Sequence, residues 1–249
     1  MKNISNKQAS DKLIFALDAA NHKDALSWVD RLCGHVGMFK VGKGLFTAAG
    51  PKIIEDIKQR GQRVFLDLKF HDIPNTVARA AEVAVKLNVD MFNVHATGGS
   101  RMIKETVAAA FACADKLGRE RPIILAVTVL TSLNNDDLAE IGFGKGTNEL
   151  VLHLAKMAQS AGASGVVSSP QEIALLRNNL DSEFVIVTPG IRGAGDAVKD
   201  DQKRTLSAYE AVKGGADYIV VGRPIRTAKD PLEACLLINQ EIAAGLAAR

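Results

Sequence analysis

Asp67 and Lys69 lie two residues apart in the run Phe65-Leu66-Asp67-Leu68-Lys69, and Asp72 follows three residues later. On an extended strand alternate side chains share a face, so Asp67 and Lys69 point one way while Leu66 and Leu68 point the other. The leucines suit packing against helices, which leaves two opposite charges pointing inward near the strand's C-terminal end. Asp18 ends an earlier apolar run, and Lys40 lies within the next one. An ion pair closing one end of a sheet would account for Asp67 and Lys69 alone, but it stabilises weakly because desolvation costs several kcal/mol per ion. Two lysines and three aspartates converging at one mouth pack poorly. They make a polar site whose charges perturb one another, the setting for acid–base and electrostatic catalysis.

A sheet whose strands all run the same way would bring these residues to one end. Short β-branched or apolar runs alternate with longer amphipathic stretches along the whole chain. The pattern predicts strands at 13–17, 38–41, 64–69, 91–95, 123–129, 165–168, 184–188 and 218–221, with helices at 23–33, 52–60, 77–87, 102–116, 149–161, 171–180, 207–213 and 231–247. Gly50-Pro51 and Ser169-Pro170 put proline near a first helical turn. Gly61, Gly118 and Gly162 follow helical runs, where a left-handed cap favours glycine. Eight strand–helix units in 249 residues average about 31 residues each, which suits strand plus loop plus helix. The expected fold is therefore α/β, a single (β/α)8 TIM-barrel domain over residues 1–249, with 1–11 a flexible N-terminal extension. A doubly wound open sheet usually has a glycine-rich turn after its first strand. Leu17-Asp18-Ala19-Ala20-Asn21 contains no glycine.

Composition narrows the function classes. A 47% hydrophobic content is ample for a core and excludes disorder. The balance of 31 basic and 28 acidic residues argues against a dedicated nucleic-acid binder. Three cysteines, Cys33, Cys113 and Cys235, are odd in number and widely spaced, so neither a disulfide framework nor a zinc ribbon is expected. Residues 1–10 lack a signal-peptide core, and the apolar run at 123–130 is too short to span a bilayer. The expectation is a soluble, cytoplasmic protein.

Two stretches break the rhythm: 131–147, with a short helix predicted at 136–141, and the glycine-rich charged segment 190–205. In a barrel the loops at the strands' C-terminal ends build the active site. Gly190, Gly193 and Gly195 let backbone amides approach an anion. Gly222-Arg223-Pro224 follows the last strand at a helix start, where N–H groups and the dipole favour phosphate, and Arg223 adds a guanidinium fork. The plainer reading there is an ordinary helix cap with a surface arginine. Three other features carry little. The run from Gly37 to Gly44 nearly spells a P-loop but lacks the final hydroxyl and is strand-like at its centre. Gly142, Gly144 and Gly146 cluster without a long strand before them. His71 and His95 lie near the mouth without metal-ligand spacing, and His95 is expected to fill a polar gap at the end of strand four.

Asp67-x-Lys69-x-x-Asp72-Ile73-Pro74-Asn75-Thr76 resembles the signature of the orotidine 5′-phosphate decarboxylase family. Leu13-Ile14-Phe15-Ala16-Leu17-Asp18 resembles that family's first strand, and Phe39-Lys40-Val41-Gly42 its second. Val187-Thr188-Pro189-Gly190-Ile191-Arg192 and Val221-Gly222-Arg223-Pro224 resemble its phosphate end, so the resemblance runs from residue 13 to about 226. The DxKxxD element alone is shared with related sugar-phosphate barrels; the combination is specific.

The resemblance implies a carboxy-lyase that needs neither cofactor nor metal. It would convert orotidine 5′-monophosphate to uridine 5′-monophosphate and CO2, the last step of de novo pyrimidine nucleotide synthesis. Lys69 would be the cation beside C6 and its proton donor, and Asp67 would lie near the departing carboxylate. Lys40 and Asp72 would complete an alternating Lys–Asp–Lys–Asp array. Asp18 and Lys40 resemble ribose-hydroxyl contacts, and either Thr131 or Ser132 would meet the pyrimidine. Pro189, Arg192, Gln202, Gly222 and Arg223 belong to the phosphate end, with 190–205 closing over substrate. Asp72 and Thr76 would reach into the neighbouring site of a homodimer. Neither nucleic acid nor membrane is an expected partner. Two rivals stand beside this reading. A metal-dependent sugar-phosphate decarboxylase or aldolase would want an acidic metal ligand where Lys40 stands. A non-catalytic nucleotide-phosphate-binding barrel would have little use for the intact charged array.

Overall fold

Eight strands pair in parallel and in sequence order, and the last returns to the first. They are β1 Leu13–Ala16, β2 Met38–Gly42, β3 Val64–Phe70, β4 Met91–His95, β5 Ile123–Val127, β6 Gly165–Val167, β7 Val185–Thr188 and β8 Tyr218–Val221. The computed structural model describes residues 6–191 and 206–249. Helices in chain order are α1 Asn6–Ser10, α2 His22–Leu32, α3 Lys43–Ala49, α4 Lys52–Gln59, α5 Pro74–Lys86, α6 Gly99–Lys116, α7 Asn135–Glu140, α8 Thr147–Ser160, α9 Ile173–Arg177, α10 Ala208–Gly214, α11 Arg223–Arg226 and α12 Pro231–Ala247. Every predicted strand is present to within two residues at either end. Gly61, Gly118 and Gly162 all take positive φ after their helices, as expected.

Three local expectations change. Within the flexible extension expected over 1–11, residues 6–10 instead form α1, which packs on α12 with Ala9 fully buried. The helix predicted at 171–180 is split into a 3-10 turn, Pro170–Glu172, and the short α9. The turn is closed by a Ser169–Glu172 capping box. The segment after β2, passed over as a failed P-loop, continues directly from strand into α3.

The strands are apolar on both faces because each face meets a core. Inside the barrel, Ile14, Met38, Phe65, Met91, Leu125, Val187 and Val220 fill the centre. Alternate residues, among them Phe15, Phe39, Leu66, Phe92 and Ile186, pack outward against the helices. A barrel interior filled this way is a plug rather than a pore.

At the opposite end from the charged mouth, a single device recurs. Asp90, just before β4, accepts the backbone N–H of Val64 at 2.7 Å and the Lys58 ammonium at 2.7 Å. Asp217, just before β8, accepts the Ile186 N–H at 2.8 Å and the Arg177 guanidinium. Ser164, before β6, accepts the Ile124 N–H at 3.1 Å. Each side chain satisfies a donor of the preceding strand at the sheet's edge, where a buried N–H without an acceptor is costly. Asp90→Ala should therefore lower unfolding free energy by about 1–3 kcal/mol, read from urea denaturation. An unchanged midpoint would show that water or relaxation replaces the carboxylate.

Candidate active site

The inward positions of β2, β3 and β4 change character within one step. Two residues beyond Met38, Phe65 and Met91 stand Lys40, Asp67 and Asn93. At comparable places β1, β5 and β6 present Ala16, Val127 and Val167. The mouth is thus polar on one side and apolar on the other, above an apolar plug.

Asp67 is the centre of the polar side. Its Oδ2 lies 3.1 Å from Lys40 Nζ and its Oδ1 2.6 Å from Lys69 Nζ. The Lys40 and Asp67 side chains are each 12% exposed, and that of Lys69 25%. Asn93, 1% exposed, donates through Nδ2 to Asp67 Oδ1 at 2.7 Å. Its Oδ1 accepts the Lys69 backbone N–H at 2.8 Å. Burial alone would push the Asp67 carboxyl up. The two ammonium groups and the donors on its oxygens more than offset that and hold it below the usual carboxylate range.

Asp67 and Lys69 do meet on the inside, but not by simple alternation. Leu66 pairs with Phe92 and Phe70 with Val94, so three residues of β3 oppose Asn93 alone. This bulge puts Lys69 at φ +51°, in the left-handed region. Bulges of this kind re-aim a side chain, and here the re-aimed group is an ammonium.

The cavity above the cluster has a volume of about 450 Å³. Asp18, Lys40, Asp67 and Lys69 line it, and both Thr131 and Ser132 border it. Pro189, Gly222 and Arg223, expected at the phosphate end, stand on its wall. Arg226, which sequence reasoning did not single out, also lines it, and its guanidinium donates to the Asp18 carbonyl at 2.8 Å. A Cβ on Gly222 would lie 3.1 Å from Ala16 Cβ and 3.3 Å from Asp18 Oδ2, so β8 and β1 approach closely here. Arg192 and Gln202 lie outside the described residues.

Asp72 and Thr76 are not brought into this cluster. Both are exposed, and the Asp72 carboxylate accepts the N–H of Ile73 at 2.6 Å. β3 ends at Phe70 and α5 starts at Pro74, so the intervening loop carries Asp72 away from the chain's own Lys69. A second hollow of about 480 Å³ shares Asp18, Lys40, Asp67 and Lys69 and adds Lys43.

Asn93 is the main residue missed. Its signal was the inward parity two residues beyond Met91, in a strand otherwise apolar up to His95. Lys43 was discarded with the P-loop. Among the described residues no group of three or more His, Cys, Asp or Glu side chains is placed to hold a metal ion. None of their helices is long and apolar enough to cross a membrane.

A closed (β/α)8 barrel with a preformed lysine–aspartate–lysine cluster at its mouth defines the chain as a barrel enzyme. The model of the orotidine 5′-phosphate decarboxylase / HUMPS family matches residues 11–238, and the chain belongs to that family. It is 58% identical to orotidine 5′-phosphate decarboxylase of Syntrophus aciditrophicus, covering 100% of this chain and 99% of that one. It is 50% identical to the protein of the same name from Geotalea daltonii, over 97% and 100% of the two chains. Among solved structures, orotidine 5′-phosphate decarboxylase from Lactobacillus acidophilus superposes with a TM-score of 0.83 at 40% identity, over 92% of this chain and 98% of that one.

His95 closes β4 with its ring 5.4 Å from that of His71. Burial, followed by the nearby charges of His71, Lys69 and Lys43, pushes its imidazole down to about 4, against the opposing pull of Asp67. An unfolded imidazole protonates near 6.5, so between pH 6.5 and 4 the unfolded chain binds the extra proton. Stability should fall as pH drops through that window. The thermal midpoint of His95→Gln should decline less steeply over the same range than that of the parent. Parallel declines would remove His95 as a contributor.

Proposed function

We propose that this enzyme decarboxylates orotidine 5′-monophosphate to uridine 5′-monophosphate, closing de novo pyrimidine nucleotide synthesis in the cytoplasm without a cofactor. Family membership supplies the reaction. The observation that carries it to these residues is the Lys40–Asp67–Lys69 cluster, already assembled at the floor of a cavity large enough for a nucleotide. Loss of CO2 leaves an electron pair on C6 of the pyrimidine. The Lys69 ammonium stabilises that charge and then delivers its proton to the same carbon. Asp67 lies near the substrate carboxylate, and their repulsion is relieved as neutral CO2 departs. The array costs no reorganisation at the moment of reaction because ion pairing fixes it beforehand. Asp18 and Lys40 hold the ribose hydroxyls, and Thr131 or Ser132 the pyrimidine. Pro189, Gly222 and Arg223 hold the phosphate, with Arg192 and Gln202 from the 190–205 segment. Binding energy from that non-reacting phosphate supports organisation at the ring.

The second hollow bears on Asp72 and Thr76. It presents Lys40, Lys43 and Lys69 against Asp67 and Asp18, an excess of positive charge that suits a carboxylate arriving from outside. In a homodimer the partner's Asp72 would fill it and complete the alternating array, with the partner's Thr76 beside it.

Purified protein should consume orotidine 5′-monophosphate, followed by absorbance, equally well before and after treatment with a strong chelator. Chelator-sensitive turnover of a sugar phosphate would instead favour the aldolase-like relatives, and binding without turnover a non-catalytic role. Lys69→Ala should lose on the order of 10³-fold or more in kcat while remaining folded; substantial residual turnover would remove Lys69 from the chemistry. Lys69→Ala and Asp72→Ala chains, each inactive alone, should regain about one quarter of parental activity when unfolded and refolded together at equal amounts, since half the dimers are mixed and each has one intact site. Failure to regain activity, with mixed dimers formed, would show that Asp72 does not act across the interface.

A further inference from the structure

We propose that Asn93 is a positioning residue, its side-chain amide a crossbar that fixes Lys69 and Asp67 relative to one another before substrate arrives. The proposal rests on the decarboxylase reading for its kinetic test but draws its argument from the geometry alone.

The amide's orientation is decided by its partners. The Lys69 backbone N–H can only donate, and it lies 2.8 Å from one end of the Asn93 amide, so that end is the carbonyl oxygen Oδ1. The other end is therefore Nδ2, two N–H donors, and it lies 2.7 Å from Asp67 Oδ1. With Lys69 Nζ on that same oxygen and Lys40 Nζ on the other, these three contacts to the carboxylate all come from donors. This arrangement suits an acceptor-only, ionised Asp67 and penalises a proton on either oxygen.

The backbone argument is independent of the charges. Lys69 is one of two non-glycine residues with positive φ among the described residues. That conformation is strained for a residue with a side chain and persists only where surroundings over-determine it. The bulge removes the regular ladder partner of this segment, and the Asn93 oxygen takes the Lys69 N–H in its place. Asn93 is itself held rigidly, because it sits within β4, whose paired neighbours on both sides keep it 1% exposed. One buried amide thus decides both where the Lys69 backbone turns and where the Asp67 carboxylate sits.

The charged and titratable groups around Asp67 are Lys40 from β2 and Lys69 from β3, with Asp18 beyond β1 and Lys43 at the start of α3 on the same mouth. His95 at the end of β4, paired with His71, completes the set. Replacing Asn93 by aspartate keeps an oxygen for the Lys69 N–H but turns a second carboxylate toward Asp67. Two carboxylates at that distance resist joint ionisation, so one holds its proton to higher pH.

Two variants test this with steady-state kinetics on orotidine 5′-monophosphate, thermal melts, and 13C NMR titration of labelled aspartate carboxyls, Asp67 being assigned by its loss in Asp67→Asn. Asn93→Leu should lower kcat on the order of 10²-fold, the scale expected of roughly 1 Å misplacement, with KM changed by less than about threefold. Asn93→Asp should move the acid limb of the kcat–pH profile upward by about one pH unit or more and move the Asp67 carboxyl titration with it. A purely structural asparagine would lower the melting temperature of Asn93→Leu while leaving its kcat within about threefold of the parent, and that result overturns the proposal. An acid limb and an Asp67 titration that stay in place in Asn93→Asp also overturn it, since the side chain would then not face the carboxylate. If Asn93→Leu does not fold, the Asn93→Asp limb and titration decide alone. Absence of turnover in the parent would overturn the decarboxylase reading only, and the carboxyl titration would still decide the role of Asn93.

Discussion

A carboxylate taken out of water has to be matched by opposite charge or give up its ionisation, and in this barrel Asp67 is matched twice. Lys40 and Lys69 occupy its two oxygens from neighbouring strands. At an effective dielectric near 20, each contact contributes roughly 5–6 kcal/mol of attraction, of the same order as the desolvation of the ions involved. Such a cluster is a poor source of stability. Its value is that the charges are held in place by one another, in a wall that water reaches poorly. The bulge in β3 and the left-handed turn at Lys69 follow from the same requirement. A regular strand would carry Lys69 along the sheet, whereas the bulge folds its ammonium back onto Asp67.

The two ends of the barrel divide the work. At the end holding Asp90, Ser164 and Asp217, polar side chains satisfy strand N–H groups and fix register. At the opposite end, polar side chains face one another and a cavity instead. The apolar plug of Met38, Phe65 and Met91 separates the two, and its inward parity carries directly to Lys40, Asp67 and Asn93. The strands that hold the core therefore also aim the site. Strain at the mouth is tolerated because the ladder beneath it is regular.

Short apolar runs alternating with amphipathic stretches, together with helix punctuation, made the barrel legible in the sequence, because buried parallel strands must be apolar on both faces and the intervening helices are amphipathic. Side-chain parity along β3 placed Asp67 and Lys69 together, although the physical route is a bulge that linear spacing does not reveal. Asn93 escaped notice because one amide within Met91–His95 reads as an interruption of an apolar run; its meaning depends on the register between β3 and β4. Asp72 shows the limit of linear spacing from the other side. Three residues of spacing suggest proximity to Lys69, but the turn into α5 carries the carboxylate outward to an exposed position. Short helices such as α1 and α3 were missed because tertiary packing, not local propensity, orders them.

The sign of the charge on β2 separates the chemistries that this family's barrels share. A divalent cation needs carboxylate oxygens with free lone pairs and little positive charge nearby. Here both oxygens of Asp67 already face ammonium groups, and Lys43 adds a third lysine on the adjoining hollow. Counting only Lys40, Asp67 and Lys69, the floor of the cavity carries a net charge of +1. It repels a metal ion and attracts a ligand that brings negative charge of its own. A nucleotide with a phosphate at one end and a carboxylate on its ring meets that demand at both ends. On the proposed reading, departure of the carboxylate as CO2 would leave the Lys69 ammonium facing a carbanion in its place, so the site would match the charge formed as well as the charge lost.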